Sequence, residues 1–86
     1  MIEFDPAKNE SNIAKHGVSL ERASDMEIIS FLEDGRHDYG EVRYHAWGLI
    51  DGKAHCLVFT RRGANIRAIS LRRAHKKEMQ RYASTP

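Results

Sequence analysis

Eight side chains able to grip a phosphate crowd the end of this 86-residue chain: Arg61, Arg62, Arg67, Arg72, Arg73, Lys76, Lys77 and Arg81. Arginine meets a phosphate through two parallel N–H donors and stays charged at any working pH. It can therefore hold a scissile phosphate and stabilise the charge that builds on it, but it is a poor general base. Glu78 is the single anion of this stretch, so residues 61–86 carry a net +7. Residues 1–60, with six cations and eleven anions, carry −5, and the whole chain is only +2. That polarity points to a polyanion contacted by the C-terminal third. A solvated basic face is the bland alternative, but such faces mix both signs.

Proton-moving groups are fewer. Lys15 and His16 adjoin at the end of an expected helix, where cations also complement the negative helix end. His37 and Asp38 could form an acid–base pair, or simply lie in a solvated loop. His45, His55 and His75 are isolated, and no close histidine pair or cysteine cluster offers a zinc site. The single cysteine, Cys56, cannot form an internal disulfide and reads as a small buried hydrophobe within a strand. No phosphate-binding glycine loop, dinucleotide fingerprint or nucleophile elbow is present.

The elements that must carry these groups follow from local signals. Asp5-Pro6 caps and opens a helix from Pro6 to about His16, and Gly17 ends it. Its apolar stripe is thin (Ala7, Ile13 and Ala14), so it should lie on a surface. Ser19 caps a second, shorter helix with Glu21 in its first turn and Ala23 and Met26 facing inward. Ile28 to Leu32 reads as a strand, Glu33 to Glu41 as a loop, and Arg43 to Ile50 as a strand with Tyr44, Ala46, Gly48 and Ile50 on one face. Asp51-Gly52 signals a type I′ hairpin. Ala54 to Thr60 and Ile66 to Leu71 follow as strands about a turn at Gly63 to Asn65. A basic helix closes the chain from about Arg73 to Ala83. The order ααββββα, with short turns between the strands, predicts an α+β domain with a four-stranded antiparallel sheet, one domain over residues 1–86.

No apolar run is long enough for a membrane span, and the N-terminus lacks the pattern of a secretory signal. With one cysteine, these features suit a reducing cytoplasm. No helix-turn-helix is evident. A small sheet with basic edges is compatible with RNA loops.

Three stretches, FDPAKNESNIAKHGVSLERA, HDYGEVRYHAWG and VFTRRGANIRAISLRRAHKKEMQRYA, together resemble the BrnT toxins of bacterial type II toxin–antitoxin systems. The resemblance runs from Phe4 to Tyr82 and is most specific at Lys15-His16-Gly17-Val18 and from Arg67 to Ala74. It implies a RelE-like fold and a metal-independent ribonuclease that halts translation, with no cofactor. It also implies a hetero-oligomer with a BrnA-like ribbon-helix-helix antitoxin, through which alone operator DNA is reached. One departure stands out: members of the family often have an acid where this chain has Arg61, in the turn Thr60-Arg61-Arg62-Gly63. From the resemblance, Arg62 and Arg72 are expected to stabilise charge at the cleaved phosphate. Lys15 or His16 would assist proton transfer if the first helix packs beside the last strand. Arg61, Arg67, Arg73, Lys76, Lys77 and Arg81 are expected to bind RNA. A binding module, or a toxin that has lost its catalysis with that acid, stays open as an alternative.

Overall fold

The computed structural model describes residues 2–34 and 41–83. One five-stranded mixed sheet organises them, in the order β1-β5-β4-β3-β2. The strands are β1 (Ile2–Glu3), β2 (Glu27–Asp34), β3 (Arg43–Ile50), β4 (Lys53–Arg62) and β5 (Asn65–Arg73). Helix α1 (Pro6–His16) and a 3-10 helix (Leu20–Asp25) precede β2, and helix α2 (Lys76–Tyr82) follows β5. The class is the α+β expected from the sequence.

Three details correct the sequence reading. The sheet has a fifth strand, because Ile2 and Glu3 pair in parallel with Ile66 and Arg67. Two residues are too short a run to show periodicity. The second helix is a six-residue 3-10 helix, capped by the Ser19 hydroxyl, which accepts from the Glu21 N–H at 3.2 Å. So few residues earn little from α-helical propagation. The last helix begins at Lys76, not Arg73, because strand pairing outlasts the apolar pattern. Arg73 still lies opposite His55, and the Ala74 N–H bonds to the Ala54 carbonyl at 2.9 Å.

The local turn signals act as expected. The Asp5 carboxylate caps α1 through the Ala7 N–H at 2.9 Å. Gly17 ends it in the left-handed region at φ 71°. Asp51 and Gly52 both take positive φ, as a type I′ hairpin demands. At Gly48 a side chain is excluded for another reason: a Cβ there would run into the Glu27 carbonyl of β2. Register slips beside this crossing, between Ile28 and Ser30.

One sheet face holds the core. Leu20 and Ala23 of the 3-10 helix pack onto Ala46, Ile50, Leu57, Phe59, Ala68 and Leu71. Helix α1 lies against the β5 side of this arrangement and docks in an unexpected way. Its would-be apolar stripe, Ala7, Ile13 and Ala14, is exposed, and the residue it buries is Asn12. The Asn12 carboxamide accepts from the Leu71 N–H at 3.1 Å and donates to the Leu71 carbonyl at 2.8 Å. In effect it pairs with the edge of β5 as a peptide group of a further strand would. Asn9, one turn earlier, accepts from the Leu20 N–H at 2.7 Å and so ties α1 to the 3-10 helix.

Candidate functional site

The opposite sheet face carries the chemistry. Residues directly across an antiparallel pair share a face. Three cross-strand rows therefore stand side by side on it: Ser30, Trp47, Cys56 and Arg72; then Leu32, His45, Val58 and Ser70; then Asp34, Arg43, Thr60 and Arg67. Helix α2 lies over the first row, where Tyr82 stacks on Trp47 with ring centroids 4.5 Å apart and planes 11° apart. The Ser30 hydroxyl donates to the Tyr82 carbonyl and pins the end of the helix to β2.

Arg72 is held on this face by a two-pronged ion pair. Its Nη1 and Nη2 donate to Glu78 Oε1 and Oε2 at 2.8 and 2.7 Å. The same carboxylate accepts the Trp47 indole N–H at 3.0 Å and the His75 backbone N–H at 3.3 Å. Glu78 is thus the keystone joining β3, β5 and the first turn of α2. The hydrogen bonds from Arg72, followed by that from Trp47, hold the Glu78 carboxyl down to about 2, against the opposing effect of its burial. In return, Glu78 raises the pKa of Arg72 still further above its ordinary value. Arg72 has N–H donors to spare, since a guanidinium carries five and Nη1 and Nη2 spend three, the third on the Arg73 carbonyl at 3.2 Å. Beneath it, burial pushes the Cys56 thiol up to about 11, so this cysteine packs and does not act as a nucleophile.

Arg72 and Glu78 border an open cleft of about 890 Å³, whose lining includes Lys15 and His16 from the end of α1. Arg73, His75, Lys77, Arg81 and Tyr82 complete it. The Asn12 clamp explains the meeting. It seats α1 beside β5, so the last turn of the helix reaches the row of Arg72. Among the described residues, five cations and two histidines then face one carboxylate already committed to Arg72. Such a cleft can bind a phosphate, stabilise added negative charge on it, and pass protons through imidazole.

Arg62 is placed elsewhere. It lies six residues along β4 from Cys56, the partner of Arg72, or roughly 20 Å at the ordinary rise per residue. Arg62 and Arg72 share a face but do not meet on one phosphate. Arg62 stands 3.9 Å from Glu41, half exposed, and Arg67 pairs with Glu3 at 3.5 Å. Arg61 lies opposite Ile66 and lines a separate apolar cavity with Phe31 and Tyr44 on the core face. Lys76 is exposed on α2 outside the cleft lining. The pair His37 and Asp38 lies outside the described residues. Sequence reasoning passed over His75, Glu78, Trp47 and Tyr82. Glu78 did carry a signal: it is the lone acid in a strongly basic stretch, placed three residues after a helix start, where an acid can reach back to the cap.

Among the described residues, no three His, Cys, Asp or Glu side chains are grouped to hold a metal ion. No helix among them is long and apolar enough to cross a membrane. The model of one protein family, described as "Ribonuclease toxin, BrnT, of type II toxin-antitoxin system", matches residues 4–78. A search of curated proteins returns no match.

Proposed function

The chain belongs to the BrnT family of ribonuclease toxins of type II toxin–antitoxin systems, and on that premise we propose that its cationic cleft cuts RNA without a metal ion. The observation that carries this reading is the convergence of Lys15 and His16 on a preorganised Arg72. RNA supplies its own nucleophile. The 2′-oxygen attacks the adjacent phosphorus and gives up its proton to a base, for which His16 is the better chemical choice and Lys15 the other. The bond from phosphorus to the 5′-oxygen breaks, and the leaving oxygen takes a proton. The products are a 2′,3′-cyclic phosphate and a 5′-hydroxyl, and no external reactant is consumed.

Arg72 stabilises the phosphorane through the N–H groups that Glu78 leaves free. Arg73, Lys77 and Arg81 hold the neighbouring backbone within the cleft, and Lys76 supports it from outside. Arg62, Arg61 and Arg67, at the far end of the sheet, contact RNA several nucleotides away. In the cell the reaction halts translation in the cytoplasm. It is held off by a BrnA-like ribbon-helix-helix antitoxin that forms a hetero-oligomer with the toxin, masks the cleft and alone reaches operator DNA.

The test is RNA integrity in EDTA, with fragment ends mapped, beside Arg72→Ala. Cyclic-phosphate ends that vanish in the variant support the reading, and an active folded Arg72→Ala protein sinks it. One observation favours a second reading, a toxin without catalysis: Arg61 stands where an acid is often found in the family, and Arg72 is already paired to Glu78. Intact RNA, together with unimpaired translation in a cell-free extract, would select it.

A further inference from the structure

The end of α1 serves two cavities. Lys15 and His16 line the cationic cleft, and they also line a groove of about 220 Å³ between α1 and β5. Lys8, Ser11 and Asn12 of the helix and Ile69 and Ser70 of the strand complete that groove. We propose that it is a second phosphate subsite, holding the phosphodiester next to the one that sits at Arg72. The proposal rests on the ribonuclease reading and adds the path by which the RNA strand leaves the cleft.

The sequence builds the groove. Residues 8, 11, 12 and 15 recur at helical spacing and so share one face of α1. That face is turned to β5 because the Asn12 carboxamide bonds to both the N–H and the carbonyl of Leu71. Its other amide hydrogen goes to the Val18 carbonyl at 2.9 Å. Both N–H donors of Asn12 are thus taken, so it fixes the groove and leaves the ligand to its neighbours. Lys8 and Lys15 then lie roughly 10 Å apart along the helix axis, with Ser11 between them on the helix and Ser70 on the facing strand.

Two observations name the ligand. The first is availability. Arg72, Arg67 and Arg62 each have an acid, in Glu78, Glu3 and Glu41. Among the described residues, Lys8 and Lys15 have no ion-pair partner, and the Ser11 and Ser70 hydroxyls have no hydrogen-bond partner. An ammonium only donates and a hydroxyl can donate, so the ligand that satisfies all four is an anionic acceptor. The second is continuity. What sits at Arg72 is a polymer with a phosphate at every nucleotide. The shared wall of Lys15 and His16 sets its next phosphate at this groove.

The test counts phosphates and needs no cleavage. 2′-O-methyl RNA lacks the attacking hydroxyl, so a dinucleotide with one phosphate and a trinucleotide with two both stay intact. Each is titrated into the whole protein at several salt concentrations, with binding read from backbone amide NMR shifts. The trinucleotide should bind about 10-fold tighter, the scale of one added charge-assisted contact. Its log affinity should fall more steeply with log salt by about 0.7, the increment of one further phosphate on a single strand. Lys8→Met, at an exposed position where folding is safe, should remove most of both differences and leave dinucleotide binding unchanged. A trinucleotide no tighter than the dinucleotide overturns the subsite, as does an advantage that survives Lys8→Met intact. Equal weakening of both oligomers by Lys8→Met reduces the lysine to general attraction and overturns it too. Any of these results leaves the ribonuclease reading standing so long as Arg72→Ala still weakens the dinucleotide. A protein that binds neither oligomer loses that reading along with the subsite.

Discussion

The two ends of the arginine-bearing sheet face are built on different terms. At the α2 end, Arg72 meets Glu78 through two short hydrogen bonds, and only 15% of the Glu78 side chain is exposed. At the hairpin end, Arg62 faces Glu41 at 3.9 Å with 53% of its side chain in solvent. The residue type is the same and the charges are the same. What differs is whether a third group fixes the acid. Trp47 and the His75 N–H lock Glu78, and Glu78 then locks Arg72. No such bond is seen at Glu41 among the described residues. A catalytic cation gains most when its position is paid for during folding, so the preorganised end is the one expected to matter for chemistry. The loose end contributes attraction, which water and salt weaken.

The sharpest way to break this comparison is to delete the arginine at each end. Arg72→Ala should lower RNA cleavage by roughly 10²–10³, as removal of a preorganised cation does, whereas Arg62→Ala should lower it less than about 10-fold. Equal losses in single-turnover cleavage would erase the distinction. Next comes the clamp that brings α1 to the prepared end. Asn12→Ala leaves the N–H and carbonyl of Leu71 and the carbonyl of Val18 without their partner, and should cost about 3 kcal/mol of stability in urea unfolding. Ile13→Ala, on the exposed side of the same helix, should cost under about 1 kcal/mol.

Glu78→Gln tests the lock itself. It should destabilise the fold by about 2 kcal/mol, below the figure for a fully buried pair because Arg72 keeps 35% of its side chain in solvent. The sign with pH follows from the direction of the shift. The folded carboxyl ionises far more readily than the unfolded one, about 2 against 4.5. Its stabilisation is complete above the ordinary value and drains away as pH falls from there through about 2. Thermal melts over that acid range should lose much of their slope in Glu78→Gln; a slope equal to that of the unaltered protein would place the acid sensitivity elsewhere. The smallest effect belongs to the loose end: Glu41→Gln should change stability by less than about 0.5 kcal/mol, and even that should fade with added salt.

Much of the fold was legible because its signals are local. Asp5-Pro6, Gly17, Ser19 and Asp51-Gly52 act within a few residues of themselves, and each sits where its chemistry predicts. The alternation of β3 and the burial of Cys56 follow from strand geometry and apolar character. The site was legible only in part. Cations were easy to count, but the count could not tell that Arg72 is locked and Arg62 is not. Asn12 is one polar residue of a mostly polar helix, and Glu78 stands out only as the lone anion of a basic stretch; both proved structural. Asn12 finds Leu71 59 residues away, and Glu78 finds Trp47 31 residues away. No window of sequence contains both partners of either contact.

The sequence by itself determined the charge polarity, the caps and turns, the strand faces and the family to which the chain belongs. These depend on composition, on backbone preferences of single residues, and on motifs read in order. Tertiary structure alone decided that β1 pairs in parallel with β5, that a polar residue rather than the apolar stripe anchors α1, and that Lys15 and His16 reach Arg72 while Arg62 does not. The physical reason is burial. A polar side chain removed from water must find partners wherever the fold supplies them, and that supply exists only once the sheet has closed.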